Sequence, residues 1–446
     1  MPTDTRAPVG YPIACHVVST RERKDLAGWL TLVSIGLLIT WLAVEGGARL
    51  GTASAPFLGR YRFEISPLSL VSPTVAVGIL YAAARGRFDS APWWMVRVGS
   101  ALGLFTWAIS LALVDGLEGL TRSLTPDSFL GDVHDVGDNP INYLRTFTVR
   151  SDEHTVATRG HPPAPVLLLW ALQRLGITDS LGLALLVTAF GALSAPLVLS
   201  AVRDVSGETS ARRFAPVLML APYAIWLAVS MDVVVLTISA AMTVAGLRAT
   251  RRKGWHAAGW AILAGLLLGV AALFAYAAAW LGLSIVGIYF ARRRAALNLF
   301  SGIGVLAPVL LTSAVGFVWT DGLFTAYADF ATTIEPSRSA LWWGLISVCA
   351  MLLAVGPPLY ASIRKLRNTP GWPFLMGAAS AVLFSIGAGL ARGGIEHAWL
   401  PFFPWLTVAA TAPEEQGGPP VASPVLLVAV GALTAVIIEA VLLTLW

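Results

Sequence analysis

The polar chemistry of this 446-residue chain gathers between Gly116 and Pro163. Seven acids lie there, Glu118, Asp127, Asp132, Asp135, Asp138, Asp152 and Glu153, with His134, His154 and His161 and with Arg122, Arg145, Arg150 and Arg159. A segment that only joins two apolar helices needs none of these, although a solvated surface loop can carry them without a role. Asp132, His134 and Asp135, followed by Gly137 and Asp138, offer carboxylate and imidazole ligands to a divalent cation, with a glycine to let the chain turn. Their spacing matches no standard metal loop, and a solvated acidic turn explains them better. Arg159, Gly160, His161, Pro162 and Pro163 precede a short apolar run. Because proline is tolerated in the first turn of a helix, one reading is a plain helix start. The other holds Arg159 and His161 at a membrane surface, facing a phosphate group.

Two smaller polar groups stand apart from the loop. Asp232, in Ser230–Met231–Asp232, falls between two apolar stretches, where it serves either as a turn or as a site. Arg392, Glu396 and His397, just before Trp399 and Pro401, read as an interfacial anchor or as a phosphate contact.

The elements that must position these residues are set by lipid. The chain is 56% hydrophobic and 12% charged, with a mean hydropathy of +0.73, which is far from the balance of a water-soluble domain. A net charge of +5 can signal nucleic acid, but the arginines sit in short clusters between apolar runs, so nucleic acid is excluded as a partner. Cys15 and Cys349 are the only cysteines, too few for a disulfide framework or a thiolate metal site. The first apolar run follows Arg21, Arg23 and Lys24 and has no clear cleavage pattern, so it reads as an uncleaved anchor.

About 20 apolar residues cross a hydrocarbon core of roughly 30 Å. That rule predicts an all-α, polytopic membrane bundle of about thirteen spans: 27–44, 64–83, 92–114, 180–201, 213–229, 231–247, 256–273, 275–290, 296–316, 341–361, 374–390, 398–411 and 423–445. No charge interrupts Ala257–Ala291, a stretch that suits a hairpin turning near Tyr276. The run Pro163–Leu175 is too short to cross and is expected to be re-entrant or interfacial. The organisation expected is a cytoplasmic tail over 1–26, one transmembrane domain over 27–446, a large outer loop at 116–163 and an inner loop at 411–422. No repeat of 20 to 50 residues is visible.

With the N-terminus inside, eighteen lysines and arginines fall in inner loops and ten in outer ones. The positive-inside rule therefore places the N-terminus in the cytoplasm, the C-terminus outside and the protein in the plasma membrane.

From His161–Pro162–Pro163 into Val166, Leu167, Leu168, Leu169, Trp170, Ala171 and Leu172, the sequence resembles the His-Pro-Pro segment of C-type (GT-C) membrane glycosyltransferases. The likeness is to the protein O-mannosyltransferase and aminoarabinose-transferase kind, in bacterial form. Asp138, Asn139 and Tyr143 resemble the acidic motif of that superfamily's first outer loop, and Ser230–Met231–Asp232 its later acidic turn. Asn139 stands where a second acid is usual, three spans precede the loop where one is typical, and no large C-terminal soluble domain follows. The likeness covers 138–250 by motif and the rest by hydropathy.

The resemblance implies a sugar donor carried on polyprenyl phosphate and a lipid or cell-envelope glycan acceptor, met among membrane lipids. It implies inverting transfer with Asp138 as general base. Tyr143, Arg150, Arg159, His161, Asp232, Arg392 and His397 would bind substrate. No cofactor is implied beyond the divalent cation that Asp132, His134 and Asp135 offer to hold. Two other classes fit the same composition: a lipid or amphiphile transporter or flippase, and a non-enzymatic membrane scaffold. A transporter usually carries ionisable groups at mid-membrane, whereas the charges here lie near span ends.

Overall fold

A computed structural model describes residues 19–228 and 230–444. Cys15 and most of the expected cytoplasmic tail lie outside the described residues. The fold is an all-α polytopic bundle. Among the described residues seven helices are long and apolar enough to cross a membrane: Thr20–Glu45, Pro67–Ala84, Trp93–Thr121, Ser180–Ser206, Asp232–Arg251, Gly254–Ala272 and Leu297–Ala314. Shorter apolar helices cover Tyr276–Ala291, Trp372–Gly387 and Val425–Val441. Trp319–Ser337 and Ala340–Val355 form a pair bent by 98°.

Prolines stand at the breaks in three of the expected spans, 213–229, 341–361 and 398–411; the second divides at Gly356–Pro357 into Ala340–Val355 and Pro358–Arg364. In 213–229 the Glu208–Met219 helix contains Pro216 and gives way to a 3₁₀ segment, Pro222–Leu227. In 398–411, Pro401 and Pro404 leave only the short turns Leu400–Phe402 and Phe403–Leu406. A proline removes a backbone donor, so broken backbone survives in a membrane bundle only when protein covers it. Here it is covered: Leu400, Phe402, Phe403 and Trp405 are fully buried. The indole of Trp107 donates to the carbonyl of Ala221 (3.1 Å) beside the first break.

The predicted hairpin is present. Gly254–Ala272 turns at Leu273–Ala275 into the 3₁₀ segment Tyr276–Leu281 and then Gly282–Ala291. Gly254–Ala272 packs against Leu297–Ala314 through small residues. A Cβ on Gly265 would stand 1.9 Å from the Ser301 carbonyl oxygen, and one on Gly304 would stand 2.2 Å from that of Ile262. Close backbone approach through glycine is a common solution in lipid, where apolar surface alone gives no preference for protein over solvent.

The six basic clusters, at 21–24, 85–87, 203–213, 248–253, 292–294 and 364–367, lie at one end of the bundle, joined by contacts of their own or of adjacent residues. Arg364 holds Asp25 (2.7 Å) and Glu414 (2.6 Å), and Arg21 also reaches Glu414 (3.4 Å). Arg213 donates to the Pro420 carbonyl (2.7 Å), and Arg212 to that of Phe88 (2.8 Å) and to Glu208 (2.9 Å). Arg203 meets Glu208 (2.5 Å), Asp204 meets Arg251 (3.0 Å) and Arg292 (3.6 Å), and Arg294 donates to the Arg252 carbonyl (3.2 Å). At the other end Gly59–Tyr61 pairs antiparallel with Leu442–Thr444. Asp115 is buried there between Arg62 and Arg122.

Candidate functional site

The His161–Pro162–Pro163 segment sits where three outer elements meet. Pro163 directly precedes the eleven-residue helix Ala164–Arg174, which is too short to span. The Ala164 amide donates to the Leu273 carbonyl (3.2 Å), on the turn of the hairpin. The indole of Trp319 donates to Ala272 (2.8 Å) on the same turn, which brings in the Trp319–Thr333 helix. His161 is half-buried, edge-on to Phe129 at 5.1 Å, with Nδ1 2.8 Å from the Ala157 carbonyl oxygen.

Behind it lies a buried polar group. The Ser230 hydroxyl donates to Asp232 (3.1 Å) and stands 3.3 Å from His397 Nδ1, while His397 and Asp232 are 3.9 Å apart. His161 is near enough to act electrostatically on both Asp232 and His397. Burial, aided by His161, pushes His397 down to about 3, so it is neutral at physiological pH. Asp232 opens the Asp232–Arg251 helix, where the dipole favours an acid, directly after the irregular Pro222–Leu227 segment. His397 is carried by the short Ile395–Ala398 turn. Three of the predicted site residues, His161, Asp232 and His397, are thus brought together.

The others lie elsewhere. The Asp138 side chain is 93% exposed and paired with Arg174, whose guanidinium also donates to the Gly137 carbonyl (3.1 Å). Arg150 is exposed and bound to Glu153 (2.5 Å). Arg159 holds Asp329 (2.9 Å) on the Trp319–Thr333 helix. Arg392, 7% exposed, uses all three nitrogens: Nε donates to Gly389 (2.6 Å), Nη1 to the Glu335 and Arg338 carbonyls (2.8 and 2.7 Å), and Nη2 to the Glu335 carboxylate (2.7 Å). A guanidinium engaged in this way ties the Gly389–Arg392 turn to the 335–338 segment and has little donor capacity left for a phosphate.

Tyr143 is buried inside the outer loop, its ring 5.9 Å from that of His154. Burial first, then the Asp132 and Asp135 carboxylates, push its phenol well above the usual tyrosine range. Of the expected metal-ligating trio, Asp132 and Asp135 converge, but the His134 side chain is 80% exposed. The imidazole that joins them is His154. Sequence reading missed this because His134 is adjacent and His154 is not. It also missed Asp329 and Glu335, which lie between the expected spans 296–316 and 341–361; the apolar spacing of Trp319, Phe324, Tyr327 and Phe330 was the available signal.

No protein-family model matches the chain, and no curated protein does. Two solved structures are similar to it. One is ArnT from Cupriavidus metallidurans bound to undecaprenyl phosphate, with 19% identity and a TM-score of 0.42 over 56% of this chain and 49% of that one. The other is the apo state of the same protein, with 18% identity and a TM-score of 0.39 over 61% of this chain and 54% of that one. The chain spans about half the length of these neighbours. At this level of likeness no residue role passes from them to this chain.

Proposed function

We propose that the chain transfers a sugar from a polyprenyl-phosphate carrier to a hydroxyl acceptor at the end of the bundle that carries the 116–163 loop. The observation that carries this reading is the buried Asp232–His397 pair, 3.9 Å apart, lying within electrostatic reach of the half-buried His161. His161 and Asp232 belong to two of the motifs by which the sequence resembles C-type glycosyltransferases, and His397 to the separate Arg392, Glu396 and His397 cluster. In the reaction the acceptor oxygen attacks the anomeric carbon, the bond from that carbon to the phosphate oxygen breaks with inversion, and the acceptor proton passes to a carboxylate. Arg159 and His161 face the departing phosphate. The prenyl tail lies in lipid against the apolar flank. By the positive-inside rule this end is extracytoplasmic and the arginine-linked end cytoplasmic.

Two carboxylates compete for the proton. Asp138 is open to solvent and drawn to Arg174, so it would act only after leaving that pair. Asp232 is withdrawn from water beside a neutral imidazole, and this geometry favours it. A positioned base contributes about 10²- to 10⁴-fold. In a purified transfer assay with a prenyl-phosphate sugar, Asp232→Asn should lower turnover by about two orders of magnitude or more, while donor binding persists. A greater loss in Asp138→Asn would return the role to the loop acid. Near-normal transfer in both variants would overturn the assignment of the base, whereas wild-type protein that transfers no sugar but passes the lipid without an acceptor would sink the enzyme reading in favour of the transporter.

A further inference from the structure

The outer loop contains a second polar site that glycosyl transfer does not use. Ligand-capable atoms of Asp132, Asp135 and His154 all lie within 4.8 Å of one another. Asp132 is 3% exposed and His154 is 7% exposed. Both ring nitrogens of His154 are buried with no hydrogen-bond partner among the described residues, and so is the hydroxyl of Tyr143. Leaving a buried polar atom unsatisfied costs about 1–3 kcal/mol. Three such atoms beside two carboxylates therefore call for a missing partner, and the lone-pair nitrogen of a neutral His154, together with the carboxylate oxygens, suits one that accepts electron pairs.

Charge decides between a water molecule and a cation. Among the described residues neither Asp132 nor Asp135 forms an ion pair with a lysine or an arginine, although Arg150 is near enough to act electrostatically on Asp135; Asp132 is held by Thr155, and Asp135 by His134 at 3.2 Å. Two carboxylates gathered around a buried imidazole need positive charge, which a water does not bring. Asp132 is also oriented for the task. The Thr155 amide and hydroxyl donate to its Oδ2 at 3.1 and 2.8 Å, which fixes the carboxylate and leaves lone pairs free.

We propose that Asp132, Asp135 and His154 bind a divalent transition-metal ion of the Zn²⁺ or Mn²⁺ kind. Mixed imidazole and carboxylate donors suit those ions better than Mg²⁺ or Ca²⁺, which prefer oxygen alone. Three protein ligands leave positions for water, for the nearby Tyr143 hydroxyl or for an incoming group. The ion clips the Val133–Val136 turn to the Ser151–Glu153 turn, closing the loop that leads into His161. The site stands on its own geometry and does not depend on the transferase reading.

The test uses the full chain in detergent, stripped with EDTA, reloaded with ZnCl₂ or MnCl₂, desalted and measured for metal content and melting temperature. The expected result is one ion per chain and a higher melting temperature after reloading, since a ligand that binds only the folded state stabilises it. His154→Ala and Asp135→Asn should lose the ion, whereas His134→Ala should keep it. Thr155→Val should weaken metal binding by about 10- to 100-fold, as loss of an orienting partner does. Wild-type protein that retains neither metal and melts at the same temperature with and without it overturns the proposal, whatever the variants do. Retention of the ion by His154→Ala also overturns it.

Discussion

Arg159 separates two accounts of the His161 segment. Its guanidinium reaches Asp329 at 2.9 Å, and both side chains are about a quarter exposed, so the pair is partly screened and modest as a stabilising contact. If Arg159 serves a phosphate, Asp329 aims it and also competes with the ligand. Arg159→Lys keeps the charge but loses the planar fork; charge-assisted hydrogen bonds are worth about 1.5–3 kcal/mol, so kcat/KM for the lipid donor should drop about ten-fold or more. Expression and melting temperature should stay near wild type. A fall in melting temperature with unchanged donor use would make Arg159 a strut for the helix start. At this scale the sequence was partly legible. His161, Asp232 and His397 could be singled out because a polar group beside apolar runs costs free energy to keep. Pairings could not be read: Arg174 with Asp138, Asp329 with Arg159 and His154 with Asp132 join positions 23 or more residues apart except for the last, at 22, and no local rule links them.

Among the elements, hydropathy served well where a helix is long and unbroken, because the thickness of the lipid imposes the length. It could not foresee that 399–411 would be a buried, proline-broken core, since the same apolar content fits a straight span. The Ala164–Arg174 helix was legible as non-spanning from its length alone. The Gly265 contact is a sharper test of packing. Its missing side chain lets the Gly254–Ala272 helix touch the Ser301 backbone, and backbone has no rotamer to move aside. Gly265→Val should cost about 1–3 kcal/mol, the usual range for overpacking, and lower the melting temperature in detergent. Gly259→Val, where a Cβ meets nothing within 4 Å, should change it little. Equal effects at the two positions would show that helix propensity rather than close approach governs this hairpin.

For the whole molecule, the division of charge between the two ends predicts an orientation. Six basic clusters that are scattered in sequence become one linked network, from Arg21 and Arg364 through Arg213 and Arg212 to Arg251 and Arg294. The opposite end carries the 116–163 loop, the Asp232–His397 group and the paired strands. Val149 is 80% exposed in that loop, and Gln416 is exposed in the segment that answers Arg367 at the basic end. In a chain with Cys15 and the buried Cys349 replaced by alanine, Val149→Cys should react with an impermeant maleimide on intact cells. Gln416→Cys should react only after the membrane is opened. The reverse pattern would turn the molecule over, put Asp232, His161 and His397 on the cytoplasmic side, and remove the argument for a donor presented at the outer face. The expected pattern follows from where lysine and arginine are retained during insertion, so it tests the topology independently of any assumed chemistry.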